Sequence, residues 1–280
     1  MVHIKSVEDV EKIRKACQIV ARTLQVLSNH VQAGITTMEL DTVAESEIRK
    51  SGARPAFKGY RGFPKTLCVS INEEIVHGIP SRRKLVDGDI ISLDLGAIWD
   101  GFYGDAARTF AVGAISNEAM QLLDVTRESL KIAIEQARPG NRIGDIGFAV
   151  QSFVERYGYS VVREFVGHGI GRNLHEDPQI PNYGKLGQGP RIKAGMVFAI
   201  EPMVCQGGPE VEILKDNWTA ITRDRSLAAH FEHSIAITED GPVVLSEIPE
   251  MEESILTAKV AENAEKREDS FSLRAPRSLR

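Results

Sequence analysis

Two aspartates, Asp94 and Asp105, interrupt neighbouring apolar stretches on either side of an Asp100-Gly101 dipeptide. Both dipeptide residues tolerate positive φ, and such a pair between strand-like runs is a strong short-range signal for a β-hairpin. The arms are Ile90–Ile98 and Phe102–Val112. With the turn at 100–101, Asp105 opposes Gly96. Asp94 then falls on the same face one diagonal step away, roughly 7–8 Å between backbones. A chain that buries this hairpin must place two carboxylates close together on one face of a sheet. Buried acids are almost never left unpaired, and two together repel unless a cation lies between them. A shared metal ion is one reading. One acid in a salt bridge and the other solvated at a strand end is the alternative, and the hairpin alone does not choose.

The chain has 280 residues, enough to bury a sizeable core as one large or two small domains. Its 42% apolar and 26% charged residues are those of an ordinary globular protein. A net charge of −5 argues against general or direct nucleic-acid binding, because no basic surplus exists to neutralise phosphates. No apolar run is long enough to span a membrane. The first nine residues are polar and acidic, unlike a secretory signal. Cys17, Cys68 and Cys205 are odd in number and far apart, which makes a reducing, cytoplasmic location the expectation.

Four helices are predicted. The first follows Ser6, with Asp9 in a near capping box, and carries Val10, Ile13, Cys17, Val20, Leu24 and Leu27 at helical spacing. The others run over about Thr37–Lys50, Asn117–Ala137 and Ile143–Tyr157. Strands are expected over Thr66–Val76, the two hairpin arms, Met196–Ile200, Asn217–Arg223 and His233–Ile237. A shift of 106 residues lays Gly34 on Gly140, Glu39 on Asp145, Leu40 on Ile146 and Gly52 on Gly158. The two halves, about 6–112 and 113–250, then read as a duplication within one domain of residues 1–250. A C-terminal extension over 251–280 is expected to be partly helical (Ser254–Lys266) or disordered, with a basic, patternless end.

The second half supplies matching chemistry. Gly167-His168-Gly169 sets a histidine between glycines, and His175 follows. The apolar run Met196–Ile200 ends in Glu201-Pro202, and His230-Phe231-Glu232-His233 leads into another apolar strand. Singly, each has a dull explanation as a solvated strand end or a structural histidine. As a set, four carboxylates and one imidazole each interrupt or end an apolar segment, two acids from each half. Two divalent ions would balance four such charges, and an oxygen-rich set with one imidazole suits Mn, Fe, Co or Zn. Paired ions of that kind support metal-assisted hydrolysis.

At these residues the chain closely resembles the type I methionine aminopeptidases of the bacterial kind, within the pita-bread metallohydrolase superfamily. The matching segments are Gly59-Tyr-Arg-Gly-Phe-Pro-Lys65, Cys68-Val-Ser-Ile-Asn72, Val76-His-Gly-Ile-Pro80, Asp94, Asp100-Gly101, Gly104-Asp105, Gly167-His-Gly-Ile-Gly-Arg172, His175-Glu176, Ile200-Glu-Pro-Met203, Trp218 and Phe231-Glu-His233. They occur in the expected order over roughly residues 2–249. The resemblance implies an α+β pita-bread fold, two pseudo-symmetric αβ halves around a central antiparallel sheet.

The resemblance also implies roles. Asp94, Asp105, His168, Glu201 and Glu232 correspond to the ligands of two divalent metal ions, with Asp105 and Glu232 bridging. A metal-activated water would attack the carbonyl of the first residue, with Glu201 shuttling the proton. His77 corresponds to the histidine at the scissile amide nitrogen and His175 to the one that stabilises the oxyanion. Tyr60, Phe63, Cys68, His77 and Trp218 correspond to the pocket for the methionine side chain, and Phe63 replaces the tyrosine common there. The substrates implied are N-terminal Met peptides and nascent polypeptides near the ribosome, with a small second residue preferred and a monomeric enzyme. The cysteine/histidine-rich ribbon of eukaryotic cytosolic members and the helical insert of type II enzymes are both missing. A proline-specific aminopeptidase or prolidase shares the ligands but usually carries a further N-terminal domain. A non-catalytic binding protein on the same fold tends to lose ligands, and all five are retained here.

Overall fold

Ser6 opens the first helix, α1 (Val7–Ser28), in the computed structural model of the chain, which describes residues 2–248. The Ser6 side chain accepts the Asp9 N–H while the Asp9 carboxylate accepts the Ser6 N–H, so the near capping box closes in both directions. Thr36 and Glu39 start α2 (Thr37–Lys50) in the same way. The first half continues through β1 (Arg54–Pro55), a 3₁₀ turn at Tyr60–Gly62, β2 (Leu67–Ile71), β3 (Glu74–Val76), β4 (Ile90–Trp99) and β5 (Phe102–Ala111). Helices α3 (Asn117–Gln136) and α4 (Ile143–Val154) open the second half, the latter running on as a 3₁₀ turn to Tyr157 and stopping at Gly158, where φ is +78°. The remaining strands are β6 (Ser160–Val161), β7 (Gly167–Gly169), β8 (Glu176–Ile180), β9 (Val197–Ile200), β10 (Met203–Cys205), β11 (Val211–Ile213), β12 (Ala220–Thr222), β13 (Ala228–His230), β14 (Glu232–Thr238) and β15 (Gly241–Val244). The expected helix over Ser254–Lys266 and the extension over 251–280 lie outside the described residues. No helix among the described residues is long and apolar enough to cross a membrane.

The hairpin forms in the expected register: Trp99 pairs with Phe102, Gly96 with Asp105 and Asp94 with Ala107. Asp100 and Gly101 take φ of +47° and +78°, both in the left-handed region that a tight two-residue hairpin turn requires. The main sheet is antiparallel and its path runs β1-β4-β5-β14-β9-β7-β8, with β2 on β4 and β15 on β14. The order β2-β4-β5 followed by β14-β9-β7 is a palindrome of the two halves, joined where Glu232 pairs with Ala107. This is the pita-bread arrangement.

Side-chain alternation then sorts the two faces. Ile91, Leu93 and Leu95 of β4 join Ala106 of β5 and the apolar side chains of α1 and α2 in one core cluster. Phe198, Ile200, Ile235 and Ile237 pack with Leu122, Leu123, Ile146 and Val150 of α3 and α4 in another. The opposite parity of β4, β5 and β14 carries Asp94, Asp105 and Glu232 away from those two clusters. Burial of apolar surface, worth roughly 25 cal/mol per Å², makes these two helix layers a major source of stability.

Two expected strands are shorter than their sequence pattern. Thr66–Val76 breaks at Asn72, which has φ +58°; its side-chain Nδ2 donates to Asp89 Oδ1 at 2.8 Å and its Oδ1 accepts from Ile90 N at 3.0 Å. Asn217–Arg223 reduces to β12 because the Asp216 carboxylate accepts the N–H groups of Trp218 and Thr219, both at 2.9 Å, folding that stretch into a turn. The two- and three-residue strands β1, β6, β7, β10, β11 and β13 are too short to display an alternation, and they escape the sequence pattern.

Helix α1 lies against β5 at Gly104, where a Cβ would stand 2.4 Å from Cys17 N and 2.6 Å from the Ala16 carbonyl carbon. Both obstacles are backbone, so neither can swing aside. Gly104→Ala is expected to lower unfolding free energy by roughly 2–3 kcal/mol, as overpacking does. Urea unfolding measures it; an unchanged midpoint would mean that α1 slides freely on the sheet.

Candidate metal centre and substrate pocket

The four acids and one histidine singled out in the sequence converge. Asp94 stands on β4, Asp105 on β5, His168 on β7 and Glu232 on β14, while Glu201 is the first residue beyond β9. Donor atoms of Asp105, His168 and Glu232 all lie within 4.8 Å of one another. Glu201 Oε1 is 3.6 Å from His168 Nε2. His168 Nδ1 faces the Gly169 carbonyl oxygen at 2.9 Å and carries the ring proton there, which leaves the Nε2 lone pair pointing into the cluster.

The electrostatics are those of a site built for a cation. Asp94 Oδ1, Asp105 Oδ1 and Glu232 Oε1 are buried with no hydrogen-bond partner among the described residues. Burial first, and then the neighbouring acids, hold the Asp105 and Glu232 carboxyls well above the ordinary range. Burial also raises Asp94 and Glu201. His168 is pushed the other way, to about 3, chiefly by burial. Neutral imidazole and crowded, unpartnered carboxylates are the protonation demands of a divalent ion's ligand set, so these residues fit the metal that the chemistry requires.

Beside the acids lies a cavity of about 340 Å³, whose walls include all five candidate ligands together with Tyr60, Phe63, Cys68, His77, His175 and Trp218. Phe63 meets Trp218 edge-on, with centroids 5.1 Å apart. Cys68 pairs with Asp94 across β2 and β4, which sets its sulfur at the boundary between pocket and acids. His175, exposed at the mouth, has Nδ1 2.8 Å from the Tyr60 hydroxyl, and its ring centroid is 4.2 Å from that of His168. His77 sits at φ +62°, an uncommon backbone state for a residue with a Cβ. Burial lowers its ring to about 4.

Other lining residues were not singled out from the sequence. Phe165 packs its ring edge-on to His77 at 5.1 Å, and Arg61 and Glu164 stand at the cavity with it. They belong to segments without an apolar period or a charge pattern, so no local signal marks them. His230 was visible in His230-Phe231-Glu232-His233 yet had no assigned task; its Nε2 lies 3.6 Å from Glu201 Oε2.

Residues 11–239 match the model of metallopeptidase family M24. The chain belongs to that family. It is 51% identical over 247 residues to the methionine aminopeptidase of Clostridium acetobutylicum, spanning 88% of this chain and 99% of that one. Identity is 52% over 248 residues to methionine aminopeptidase 1 of Bacillus subtilis, spanning 89% of this chain and all of that one. Among solved structures, methionine aminopeptidase from Rickettsia prowazekii superposes with a TM-score of 0.87 at 42% identity, covering 88% of this chain and 100% of that one. A prolidase from Pyrococcus horikoshii shares the fold at 24% identity and a TM-score of 0.71, with only 64% of its chain covered. The resemblance read from the motifs therefore holds within the M24 metallopeptidases, on the methionine aminopeptidase side.

Metal binding in this M24 chain must be linked to pH. The folded, metal-free protein holds carboxyl protons more tightly than the unfolded chain does, and a cation displaces them. Mn²⁺ affinity is therefore expected to rise as pH climbs from 6 to 8. Proton release on binding, measured by calorimetry in buffers of different ionisation enthalpy, checks this. Affinity that is flat with pH and binding without proton release would contradict the assignment.

Proposed function

We infer that this chain is a metal-dependent methionyl aminopeptidase that removes the initiator methionine from peptides and newly made proteins. One observation carries the inference: three unpartnered, buried carboxylate oxygens beside an aromatic- and sulfur-lined cavity of about 340 Å³. Names of relatives at about half identity over nearly their whole length point the same way.

Asp94, Asp105, His168, Glu201 and Glu232 would hold two divalent ions of the Co, Mn, Fe or Zn kind. Such ions, when bound, polarise a peptide carbonyl and make water a stronger acid. The protein's own groups do the rest. Glu201 takes a proton from the attacking water and returns it to the leaving amine. His77 lies against the scissile amide nitrogen. With the Tyr60 hydroxyl donating to Nδ1, His175 carries its proton on Nε2 and offers it to the developing oxyanion. Tyr60, Phe63, Cys68 and Trp218 enclose the thioether, which makes favourable contacts with aromatic rings. Phe63 lacks the hydroxyl of the usual tyrosine, so the pocket stays apolar and its preference for methionine is retained.

Residues 1–250 form the catalytic unit in this reading. A small second residue is favoured, and the enzyme works as a monomer on nascent chains near the ribosome. Three buried, free cysteines support a reducing, cytoplasmic setting.

Purified full-length protein with added Mn²⁺, Co²⁺ or Fe²⁺ is expected to release methionine from a Met-Ala-Ser peptide and to leave an X-Pro peptide uncleaved by comparison. Glu201→Ala should lower kcat by about 10²–10⁴-fold with the fold intact. Robust turnover by that variant would sink the mechanism. Metal analysis after anaerobic isolation identifies the ion.

A further inference from the structure

Among the described residues, one buried side chain with unpartnered polar atoms, His230, is not used by the mechanism above. His230, the last residue of β13, is 1% exposed, and both ring nitrogens are buried with no hydrogen-bond partner among the described residues. Buried imidazoles normally find partners, so an orphaned one needs a reason. Its backbone is fixed: the His230 N–H donates to Thr109 Oγ1 at 3.0 Å, and that hydroxyl donates back to the His230 carbonyl oxygen at 2.8 Å. Glu201 is anchored as firmly, with Asn182 Nδ2 donating to its carbonyl oxygen at 3.1 Å. Between these two fixed backbones, His230 Nε2 faces Glu201 Oε2 at 3.6 Å.

Glu201 thus has a histidine nitrogen facing each of its oxygens, at 3.6 Å in both cases. The two are not equivalent. His168 keeps its proton on Nδ1 for the Gly169 carbonyl, so its Nε2 has a lone pair and nothing to donate. His230 has no such acceptor at Nδ1, and the acceptor at its other end is a carboxylate. A neutral ring in that setting carries its proton on Nε2. His230 is absent from the cavity lining, so it reaches the reacting groups through Glu201 and not by touching substrate.

We propose that His230 is a positioning residue, whose Nε2–H holds Glu201 Oε2 so that Oε1 stays turned towards His168 and the ligand cluster. Ligating carboxylates are commonly oriented by such outer hydrogen bonds, and losing one costs activity or metal affinity. The proposal rests on the assignment of Glu201 as ligand and proton shuttle. A small tilt of either side chain closes the gap from 3.6 Å to a charge-assisted hydrogen bond.

The test uses full-length His230→Leu, His230→Asn, His230→Gln and Glu201→Gln proteins, with kcat and KM on Met-Ala-Ser and Mn²⁺ binding by calorimetry. His230→Leu is expected to lower kcat by about 10–100-fold with KM nearly constant, and to weaken Mn²⁺ binding about tenfold without changing the number of ions bound. His230→Asn, whose amide stops at the Nδ1 position, should behave like it. His230→Gln, whose amide nitrogen reaches the Nε2 position, should stay within about threefold of wild type in both measurements. Wild-type behaviour of the Leu and Asn variants would overturn the proposal. So would a Gln variant as impaired as the others, or loss of a bound ion, which would make His230 a ligand. Should Glu201→Gln turn over like wild type, the fault lies with the Glu201 assignment. A dead Glu201→Gln beside unaffected His230 variants would fault only the positioning role.

Discussion

Four carboxylates that cannot all be charged in a dry interior, yet are held together there, set the terms for the rest of this protein. Two unit charges 4 Å apart cost about 4 kcal/mol at an effective dielectric of 20, and burial adds a desolvation penalty to each. The chain meets this cost with a stiff antiparallel sheet. Asp94 and Asp105 are fixed by the β4–β5 hairpin, Glu232 by pairing with that hairpin at Ala107, and His168 and Glu201 by the adjoining strands β7 and β9. Asp94, Asp105 and Glu232 are locked by ladder pairing of the backbone, and Glu201, just past β9, by the Asn182 amide on its carbonyl oxygen. The carboxylates are therefore free to serve a cation.

The layers behind the sheet make this arrangement affordable. Helices α1 and α2 cover one half of the apolar face and α3 and α4 the other, so the stabilising burial lies opposite the repelling charges. Because the centre straddles the joint between β5 and β14, neither half can build it alone. Each half supplies two of the four acids, Asp94 and Asp105 from the first and Glu201 and Glu232 from the second.

Strain gathers at the pocket. His77 and Arg61 keep left-handed backbones, and the Asp216 turn brings Trp218 towards Phe63 and His77. Local preferences are overridden there in order to aim side chains into one cavity, which is where strained conformations are usually found in working sites.

Much of this was legible in the sequence. Apolar spacing and caps gave the four helices, the Asp100-Gly101 turn set the hairpin register, and period-2 alternation put Asp94 and Asp105 on one face, because these are local properties of consecutive residues. The ordered motifs named the family and the candidate ligands. What remained hidden depended on residues distant in the chain. Neither Phe165 against His77 nor the Asn72 and Asp216 turns that shorten two strands has a periodic signature. The position of His230 against Glu201 is set by β13 pairing with β10 and by Thr109 on β5. Sequence determined which groups face the same side of each strand. Only the tertiary structure decided which of them meet, because distance between side chains on different strands is fixed by sheet order and not by chain order.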